Sequence, residues 1–251
     1  MIDFVGAGPG APDLITVRGQ QKLATADIVI YAGSLVNPEL LKSTRPGCEI
    51  YNSAAMTLEE VLAVMQRGER EHKNTVRLHT GDPCLYGAIR EQMDRLEQLG
   101  IAYEVVPGVS SFCGAAAAVG AEYTLPGVSQ TVILTRLEGR TPVPEAERIP
   151  ALAAHGASMV VFLSAGMLKK LSRQLLEGGY RADTPAAIVY RASWPDQQIV
   201  HTKVGELAAA AASHGIDKTA LILVGEFLGD EYQRSKLYDP GFSHLFREAS
   251  Q

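Results

Sequence analysis

The amino-acid sequence predicts an α/β protein with two α/β domains, over residues 1–120 and 121–251. The chain has 251 residues, which is enough for two domains of modest size, each with its own core. Short apolar runs typical of buried strands alternate with segments whose apolar residues recur at helical spacing. A stretch rich in turn residues, 120–128, separates two such runs of alternation and marks the expected boundary.

Strand and helix patterns alternate throughout the first half. Strands are predicted at Ile2–Val5, Asp27–Tyr31, Thr75–His79 and Tyr103–Val106. Helices are predicted over 14–24 with Asp13 as its N-cap, after the capping-box pattern Thr57-x-x-Glu60, through Ile89, Met93 and Leu96 as far as Gly100, and over the Ala-rich segment 112–119. Because each predicted strand is followed by a helix, a parallel sheet is expected here.

A second α/β run follows the turn-rich stretch. Its strands are predicted at Thr131–Thr135, Ser158–Leu163, Ala186–Tyr190, Ile199–His201 and Ala220–Val224, and its helices near 167–177 and 204–214. Residues 136–150 mix arginines, glutamates and three prolines, which indicates a long exposed loop.

Composition excludes several classes of protein. Hydrophobic residues are 46% and charged residues 20%, as in ordinary globular proteins, which excludes disorder as the dominant state. A net charge of −5 disfavours a nucleic-acid partner, and no apolar run approaches the length of a membrane helix. The three cysteines lack C-x-x-C spacing and the six histidines are scattered, so we expect no metal site and a cytoplasmic, reduced protein.

Three loops that follow predicted strands carry glycine or proline beside small side chains: 6–10, 80–86 and 107–112. In open α/β sheets, ligands bind outside the carboxyl ends of the strands. Glycine allows the backbone to approach a ligand closely, and proline stiffens a loop. These loops therefore predict a binding site built largely from main-chain groups.

The first loop also fits the permissive dinucleotide-binding pattern, as Gly6-x-Gly8-x-x-Ala11. Its context speaks against that interpretation. Pro9 and Pro12 have no N–H to offer a phosphate, and the second predicted strand ends in Tyr31-Ala32-Gly33, where an acidic residue should hold the ribose. A merely tight turn is the other alternative that this spacing leaves open.

The other two loops also allow two interpretations each. Asp82, in Thr80-Gly81-Asp82-Pro83, is either an Asx turn or a contact for a polar or cationic part of a ligand. Ser110 and Ser111 either bind a ligand or cap the following helix. His79 is more typical of a strand-end residue satisfied by a neighbour than of a catalytic group.

The ordered motifs carry a family resemblance. VGAGPGAPDLIT at 5–16, HTGDPCLYG at 79–87 and VPGVSSF at 106–112 resemble the three signatures of the tetrapyrrole methyltransferase family, the class III S-adenosylmethionine enzymes. Two further stretches, YAGSLV at 31–36 and VSQTVILTRLEGRTP at 128–142, are similar to those of members that methylate C11 of precorrin-4 or cobalt-precorrin-4. Related uroporphyrinogen methyltransferases carry an Asp after the tyrosine, where this chain has Ala32.

The resemblance implies two α/β domains, S-adenosyl-L-methionine as cofactor in the cleft between them, S-adenosyl-L-homocysteine as product, and a homodimer. It carries the following cofactor-binding residues across: Pro9, Thr80, Gly81, Asp82, Leu85, Ser110, Ser111, Phe112, Phe162, Leu163, Tyr190, Arg191, Ala192, Thr219, Ala220 and Leu221. For Phe162, Leu163 and Leu221, plain core packing is the alternative that the residues themselves favour.

The expected substrate is a tetrapyrrole, whose acetate and propionate groups need local cations. Arg136 and Arg140 on the predicted exposed loop, with Arg90, are the candidates. Methyl transfer from an activated donor needs mainly alignment and exclusion of water, so no catalytic dyad is expected. Asp82 and Tyr86 are candidates for a base. The alternatives are a methyltransferase of uroporphyrinogen III and a cofactor-binding regulatory module without catalysis.

Overall fold

A computed structural model describes residues 1–249, which form two compact units. The first unit contains Met1–Ala115 and the separate segment Arg191–Gln197. The second contains Ala116–Tyr190 and the chain from Gln198 onward. The expected division was a single one, between residues 120 and 121. The structure instead divides helix 111–119 and returns seven residues of the later chain to the first unit, because that segment packs on the first glycine loop.

The first unit is built on a five-stranded sheet. Its strands are β1 (Ile2–Gly6), β2 (Ile28–Tyr31), β3 (Glu49–Asn52), β4 (Thr75–His79) and β5 (Tyr103–Val106). Their order is β3-β2-β4-β1-β5 and every pairing is parallel, which confirms the expected parallel sheet. The helices are α1 (Val17–Ala24), α2 (Leu58–Arg70), α3 (Arg90–Gln98) and α4 (Ser111–Val119).

Helix ends in the first unit follow local chemistry. The capping box at α2 is confirmed, because Thr57 and Glu60 each accept the other's backbone N–H. The prediction that Asp13 caps α1 is wrong: Pro12–Leu14 forms a short 3-10 turn, and Thr16 caps the helix instead by accepting from Gly19 N at 3.1 Å. Strand β3 was not predicted, because its EIYN sequence is short and half polar.

The second unit contains a mixed sheet. Its strands are β6 (Val132–Arg136), β7 (Ser158–Phe162), β8 (Pro185–Tyr190), β9 (Gln198–Lys203) and β10 (Ala220–Val224), in the order β6-β7-β10-β8-β9. Only the β6–β7 pairing is parallel among these strands. Its helices are α5 (Ile149–Ala153), α6 (Leu168–Glu177) and α7 (Leu207–Ser213).

The segment predicted as a long exposed loop, 136–150, is more ordered than expected. Arg136 ends β6, Glu145–Glu147 forms a 3-10 turn, and Ile149 begins α5. Leu137 and Ile149 are buried in the core of the second unit, which anchors the two ends of the loop.

Apolar side chains fill both faces of the first sheet. Val5, Val29 and Leu78 point to one face and Phe4 and Ile30 to the other, as the two-residue period of a strand requires. Burial of both faces explains why β2 is an apolar run in the sequence, while β1 and β4 also bury polar residues, among them Asp3 and Arg77. Within residues 1–249, no helix combines the length and apolar character needed to cross a membrane.

Candidate active site

The three predicted loops lie side by side at one edge of the first sheet. They follow β1, β4 and β5, which are parallel neighbours, so their carboxyl ends share an edge. Gly8 and Gly81 exchange backbone hydrogen bonds, with N···O distances of 3.2 and 2.9 Å. We call residues 6–10, 80–86 and 107–112 the loop cluster.

Close backbone packing explains the glycines of the loop cluster. A Cβ on Gly6 would lie 2.5 Å from the Gly108 Cα and 2.6 Å from the Gly81 carbonyl oxygen. A Cβ on Gly108 would lie 2.2 Å from that same oxygen. These neighbours are backbone atoms, which cannot rotate away. The three loops therefore pack backbone against backbone at positions where a side chain would not fit.

Asp82 links two of the loops. Its carboxylate accepts from the Cys84 amide at 2.8 Å, which is the predicted Asx turn, and from the Gly108 amide at 2.9 Å. Burial would raise the pKa of this carboxyl group, but the hydrogen bonds from Cys84 and Gly108 outweigh it and lower the pKa. Asp82 is therefore ionised at neutral pH, and its oxygens are engaged in holding the loops together.

Two buried polar atoms at the root of the second loop have no hydrogen-bond partner among the described residues: Nε2 of His79 and Oγ1 of Thr80. His79 is 3% exposed and stacks on Phe4, with ring centroids 6.1 Å apart. Burial, with a smaller contribution from the charge of Arg77, lowers the pKa of His79 to about 3, so its imidazole is neutral. A buried hydroxyl without a partner costs stability, and a bound group that paired with Thr80 would offset that cost.

The third loop leads into α4. Ser110 is buried, and its carbonyl accepts the Cys113 amide at 3.0 Å in the first turn of the helix. Gly114 packs against the ring of Pro9, since a Cβ added to Gly114 would lie 2.7 Å from the Pro9 Cβ. The helix and the first loop are thus packed together, with Ser111 and Phe112 half-buried at the helix start.

Sequence reasoning missed three side chains that hold the tip of the first loop. Asn37 donates to the Gly10 carbonyl, Ser193 accepts from the Ala11 amide, and Trp194 donates to the Pro9 carbonyl. No local motif marks them, because they lie 27 to 185 residues from their partners along the chain.

The second unit places its predicted site residues at one end of its sheet. Tyr190 pairs with Ala220 across β8 and β10, and Arg136 pairs with Phe162 across β6 and β7. Because Ile222 stands opposite Val161, the antiparallel register continues toward Leu221 and Phe162 at this end. We call the following residues the strand-end set: Phe162, Leu163, Tyr190, Thr219, Ala220 and Leu221.

Backbone conformations are unusual at several of these positions. Among residues 1–249, seven non-glycine residues have positive φ, and four of them are predicted site residues: Tyr86 (56°), Leu163 (52°), Arg191 (47°) and Thr219 (54°). This region costs most for a β-branched side chain such as Thr219. Such conformations persist where the surroundings impose them, and they cluster at functional sites. Leu163 is also 63% exposed, although its neighbours Phe162 and Ser164 are buried.

The three candidate arginines differ in their surroundings. Arg136 donates to the carbonyl groups of Leu137, Thr141 and Pro142 at 3.2, 3.2 and 2.8 Å, so it supports its own loop. Arg90 is exposed and forms an ion pair with Asp94 at 2.7 Å. Arg140 is exposed on the same loop as Arg136. In the described part of the chain, no group of three or more His, Cys, Asp or Glu side chains could hold a metal ion.

Comparison with known proteins gives a consistent family. The model of the family described as tetrapyrrole (corrin/porphyrin) methylases matches residues 1–208. The cobalt-precorrin-4 C(11)-methyltransferase of Methanocaldococcus jannaschii is 52% identical over 247 residues, which cover 98% of this chain and 95% of that protein. The precorrin-4 C(11)-methyltransferase of Pseudomonas aeruginosa is 45% identical over 245 residues, covering 97% of each.

Solved structures agree with this result. A cobalt-precorrin-4 methyltransferase superimposes with a TM-score of 0.89 at 49% identity, covering 91% of this chain and 96% of that one. The uroporphyrin-III C-methyltransferase of Thermus thermophilus, solved with S-adenosylhomocysteine, has a TM-score of 0.76 at 29% identity, covering 90% and 98%. The fold and the loop cluster thus define a two-domain α/β methyltransferase. The chain belongs to the tetrapyrrole methylases.

Proposed function

We propose that this protein transfers a methyl group from S-adenosyl-L-methionine to C11 of precorrin-4, in its cobalt-containing or metal-free form, in cobalamin biosynthesis. The observation that carries the proposal is the loop cluster, where glycines at three strand ends bring main-chain groups into direct contact. Relatives named for this reaction align with nearly the whole chain. The substrate and the position methylated are taken from those relatives.

The loop cluster fits a cofactor with amino-acid and ribose groups. The buried Thr80 hydroxyl has no partner in the described part of the chain, so it is available to a polar group of the cofactor. The first turn of α4 lies beside Gly81, since a Cβ added to this glycine would lie 3.3 Å from the Ser111 amide nitrogen. We propose that Pro9, Thr80, Gly81, Asp82 and Leu85 bind the cofactor together with the residues listed next. These are Ser110, Ser111, Phe112, Phe162, Leu163, Tyr190, Arg191, Ala192, Thr219, Ala220 and Leu221.

The bound cofactor supplies an activated methyl group on a sulfonium centre. What remains for the protein is to hold the two reactants in line and to exclude water, which can supply about 7–11 kcal/mol of the barrier. Asp82 contributes by fixing the loops, since both its oxygens accept backbone N–H groups. A carboxylate with a lowered pKa is a weak base, so the structure favours a positioning role for Asp82. Tyr86, whose backbone is held at positive φ, is the other candidate for a base.

The arginines are proposed to bind the substrate's carboxylates. Arg136 and Arg140 lie on the loop that follows β6, and Arg90 begins α3. Arg140 is the more available of the two loop arginines, because the terminal nitrogens of Arg136 already donate to three carbonyl groups. Arg136 then acts mainly by holding the loop that presents Arg140.

We infer that the cobalt form is the preferred substrate. The 52% identical relative and the solved structure at 49% identity are both named for cobalt-precorrin-4, whereas the metal-free relative is 45% identical. Competition between equal amounts of the two substrates tests this inference, and faster consumption of metal-free precorrin-4 would contradict it.

We further propose that the protein is a homodimer in the cytoplasm. Its mass by light scattering tests the oligomeric state, and cell fractionation tests the location.

The central experiment is incubation of the protein with methyl-labelled S-adenosylmethionine and freshly made precorrin-4, with and without cobalt. Mass spectrometry should show the gain of one methyl group, and carbon NMR should place it at C11. Methylation of uroporphyrinogen III instead would favour that alternative substrate. Binding of S-adenosylhomocysteine without transfer to any tetrapyrrole would favour a regulatory module.

Asp82→Asn separates the two roles of this residue. The amide retains one acceptor oxygen but cannot accept both backbone N–H groups. Cofactor affinity and turnover should therefore fall together, with weakened binding measured by calorimetry. Normal binding of S-adenosylhomocysteine with complete loss of turnover would instead make Asp82 a catalytic base.

A further inference from the structure

The indole of Trp194 lies directly against the tip of the first loop. Its N–H donates to the Pro9 carbonyl, with an Nε1···O distance of 3.2 Å. A Cβ added to Gly10 would lie 2.1 Å from Cδ1 of this ring and 2.4 Å from Nε1. The ring thus occupies the space that a side chain at position 10 would need, and it reaches Pro9 only because residue 10 is glycine.

The segment around Trp194 holds the ring in place. The Trp194 amide donates to the Arg191 carbonyl at 3.0 Å, and the Gln197 amide donates to the Trp194 carbonyl at 3.1 Å. The Arg191 guanidinium lies 4.2 Å from the centre of the ring and is paired with Asp196. A cation over an indole face is a favourable contact. These contacts hold the donor in one position, which makes it suitable for orienting the loop.

The Pro9 carbonyl is the group that needs such a donor. The orientation of the Pro9–Gly10 peptide depends on ψ of Pro9 and φ of Gly10, and glycine restricts φ only weakly. The Pro9 ring is fixed on its other side, where it packs on Gly114 of α4. The Gly10 carbonyl is held separately by Asn37 at 2.9 Å. The hydrogen bond from Trp194 thus sets the orientation of the Pro9–Gly10 peptide.

We propose that Trp194 is a positioning residue of the cofactor site: its indole N–H fixes the Pro9–Gly10 peptide in the conformation that accepts S-adenosylmethionine. The proposal rests on the proposed function, because it assigns Pro9 to the cofactor. Trp194 itself is not placed in contact with the cofactor. Its effect on binding is expected to pass through Pro9.

Trp194→Phe removes the donor and keeps an aromatic ring beside Gly10. We expect the dissociation constant of S-adenosylhomocysteine, measured by calorimetry, to rise about fivefold to tenfold, as for the loss of one hydrogen bond. The KM for S-adenosylmethionine should rise similarly, while kcat changes less. Tyr180→Phe is the matched control, because it also removes an aromatic hydrogen bond to a carbonyl, that of Ala157 in the second unit. It should lower the melting temperature and leave the dissociation constant unchanged.

A reciprocal rescue tests the contact itself. Gly10→Ala should weaken binding more than tenfold, because the added Cβ displaces the indole. Adding Trp194→Ala to Gly10→Ala should then make binding no weaker than in Trp194→Ala alone. If the dissociation constant of the double variant instead rose by the product of the two single-variant factors, the proposal would be overturned.

Wild-type protein provides a further measurement that needs no variant to fold. Trp194 is the single tryptophan of the chain, so its indole N–H gives one resonance in a nitrogen-15 spectrum. This resonance should shift during titration with S-adenosylhomocysteine, and its exchange with solvent should slow at saturation. A resonance unchanged at saturation would overturn the proposal. If wild-type protein binds no S-adenosylhomocysteine, the proposed function fails; if Trp194→Phe binds as tightly as wild type, only the positioning role fails.

Discussion

The loop cluster and the strand-end set are two solutions to the same problem of presenting polar and apolar groups at the edge of a sheet. In the loop cluster, main-chain atoms form the contacts between the loops. Gly6, Gly81 and Gly108 pack so closely that a Cβ on Gly6 or Gly108 would collide with main-chain atoms. In the strand-end set, side chains are presented by strand register, and two backbones are held at positive φ without glycine, those of Leu163 and Thr219.

This difference explains why local sequence patterns predict the loop cluster but do not predict the strand-end set. A position where only hydrogen fits must be glycine, so close backbone packing leaves a fixed pattern in the sequence. A strand end accepts many apolar residues, and Phe162 or Leu221 would be equally expected in a plain core. The information for the strand-end set lies in the pairing of β7, β8 and β10, which is a long-range property.

The largest effect is expected where the backbone packing is closest. Gly108→Ala places a Cβ 2.2 Å from the Gly81 carbonyl oxygen, so the two loops must separate. Overpacking of this kind typically costs about 1–3 kcal/mol, and we expect the upper end, together with loss of cofactor binding. Chemical unfolding and calorimetry with S-adenosylhomocysteine measure the two effects. Gly139→Ala is the control, since its Cβ would meet only the Met167 side chain, at 3.5 Å. If the two variants lost equal stability and equal affinity for S-adenosylhomocysteine, close backbone packing would not distinguish the loop cluster from other loops.

A second prediction concerns acid stability at the root of the loop cluster. The pKa of His79 lies at about 3 in the folded protein, against an ordinary value of 6.5. Because the folded pKa is the lower one, protons bind the unfolded state first. The free energy of unfolding is therefore unaffected by His79 above pH 6.5 and decreases as the pH falls from 6.5 toward 3. Between pH 7 and pH 4 the decrease amounts to about 3 kcal/mol of unfolding free energy.

His79→Gln removes the titrating group and should flatten that part of the pH dependence. Denaturant unfolding of the wild type and of His79→Gln at pH 7, 5 and 4 measures it. A His79→Gln slope equal to that of the wild type would show that the imidazole is not held neutral by burial.

The sequence predicted β1, β2 and β4 well because these central strands are buried on both faces. Short, mostly apolar segments such as Ile2–Gly6 and Ile28–Tyr31, and strand-forming residues followed by a glycine loop at Thr75–His79, are strong local signals. It failed for β3, whose EIYN sequence alternates, and for the cap of α1, where Pro12 starts a separate turn before Thr16. The roles of Asn37 and Trp194 could not be predicted, since their partners are distant in the chain.

The third prediction concerns the loop after β6, next to the strand-end set. Arg136→Ala removes three hydrogen bonds to carbonyl groups of that loop, whereas Arg140→Ala removes an exposed cation. Both should raise the KM for the tetrapyrrole, by about tenfold if one charge-assisted bond is lost, with unchanged affinity for S-adenosylhomocysteine. Only Arg136→Ala should also lower the melting temperature. Unchanged KM in both variants would remove these arginines from the substrate site.

The smallest predicted effect distinguishes a hydroxyl that binds a ligand from one that is only buried, by comparing two threonines at opposite ends of β4. Thr75 begins β4 and Thr80 follows its end, and the hydroxyl of each is buried without a partner among residues 1–249. Replacement by the isosteric valine removes an unsatisfied polar group, so each variant should gain about 1 kcal/mol of stability. Thr80→Val should also weaken binding of S-adenosylhomocysteine about fivefold, because the cofactor loses a hydrogen-bond partner. Thr75→Val should leave that affinity unchanged. A stability gain in both variants without a change in affinity would mean that the Thr80 hydroxyl faces no ligand, and the loop cluster would then bind through main-chain groups alone.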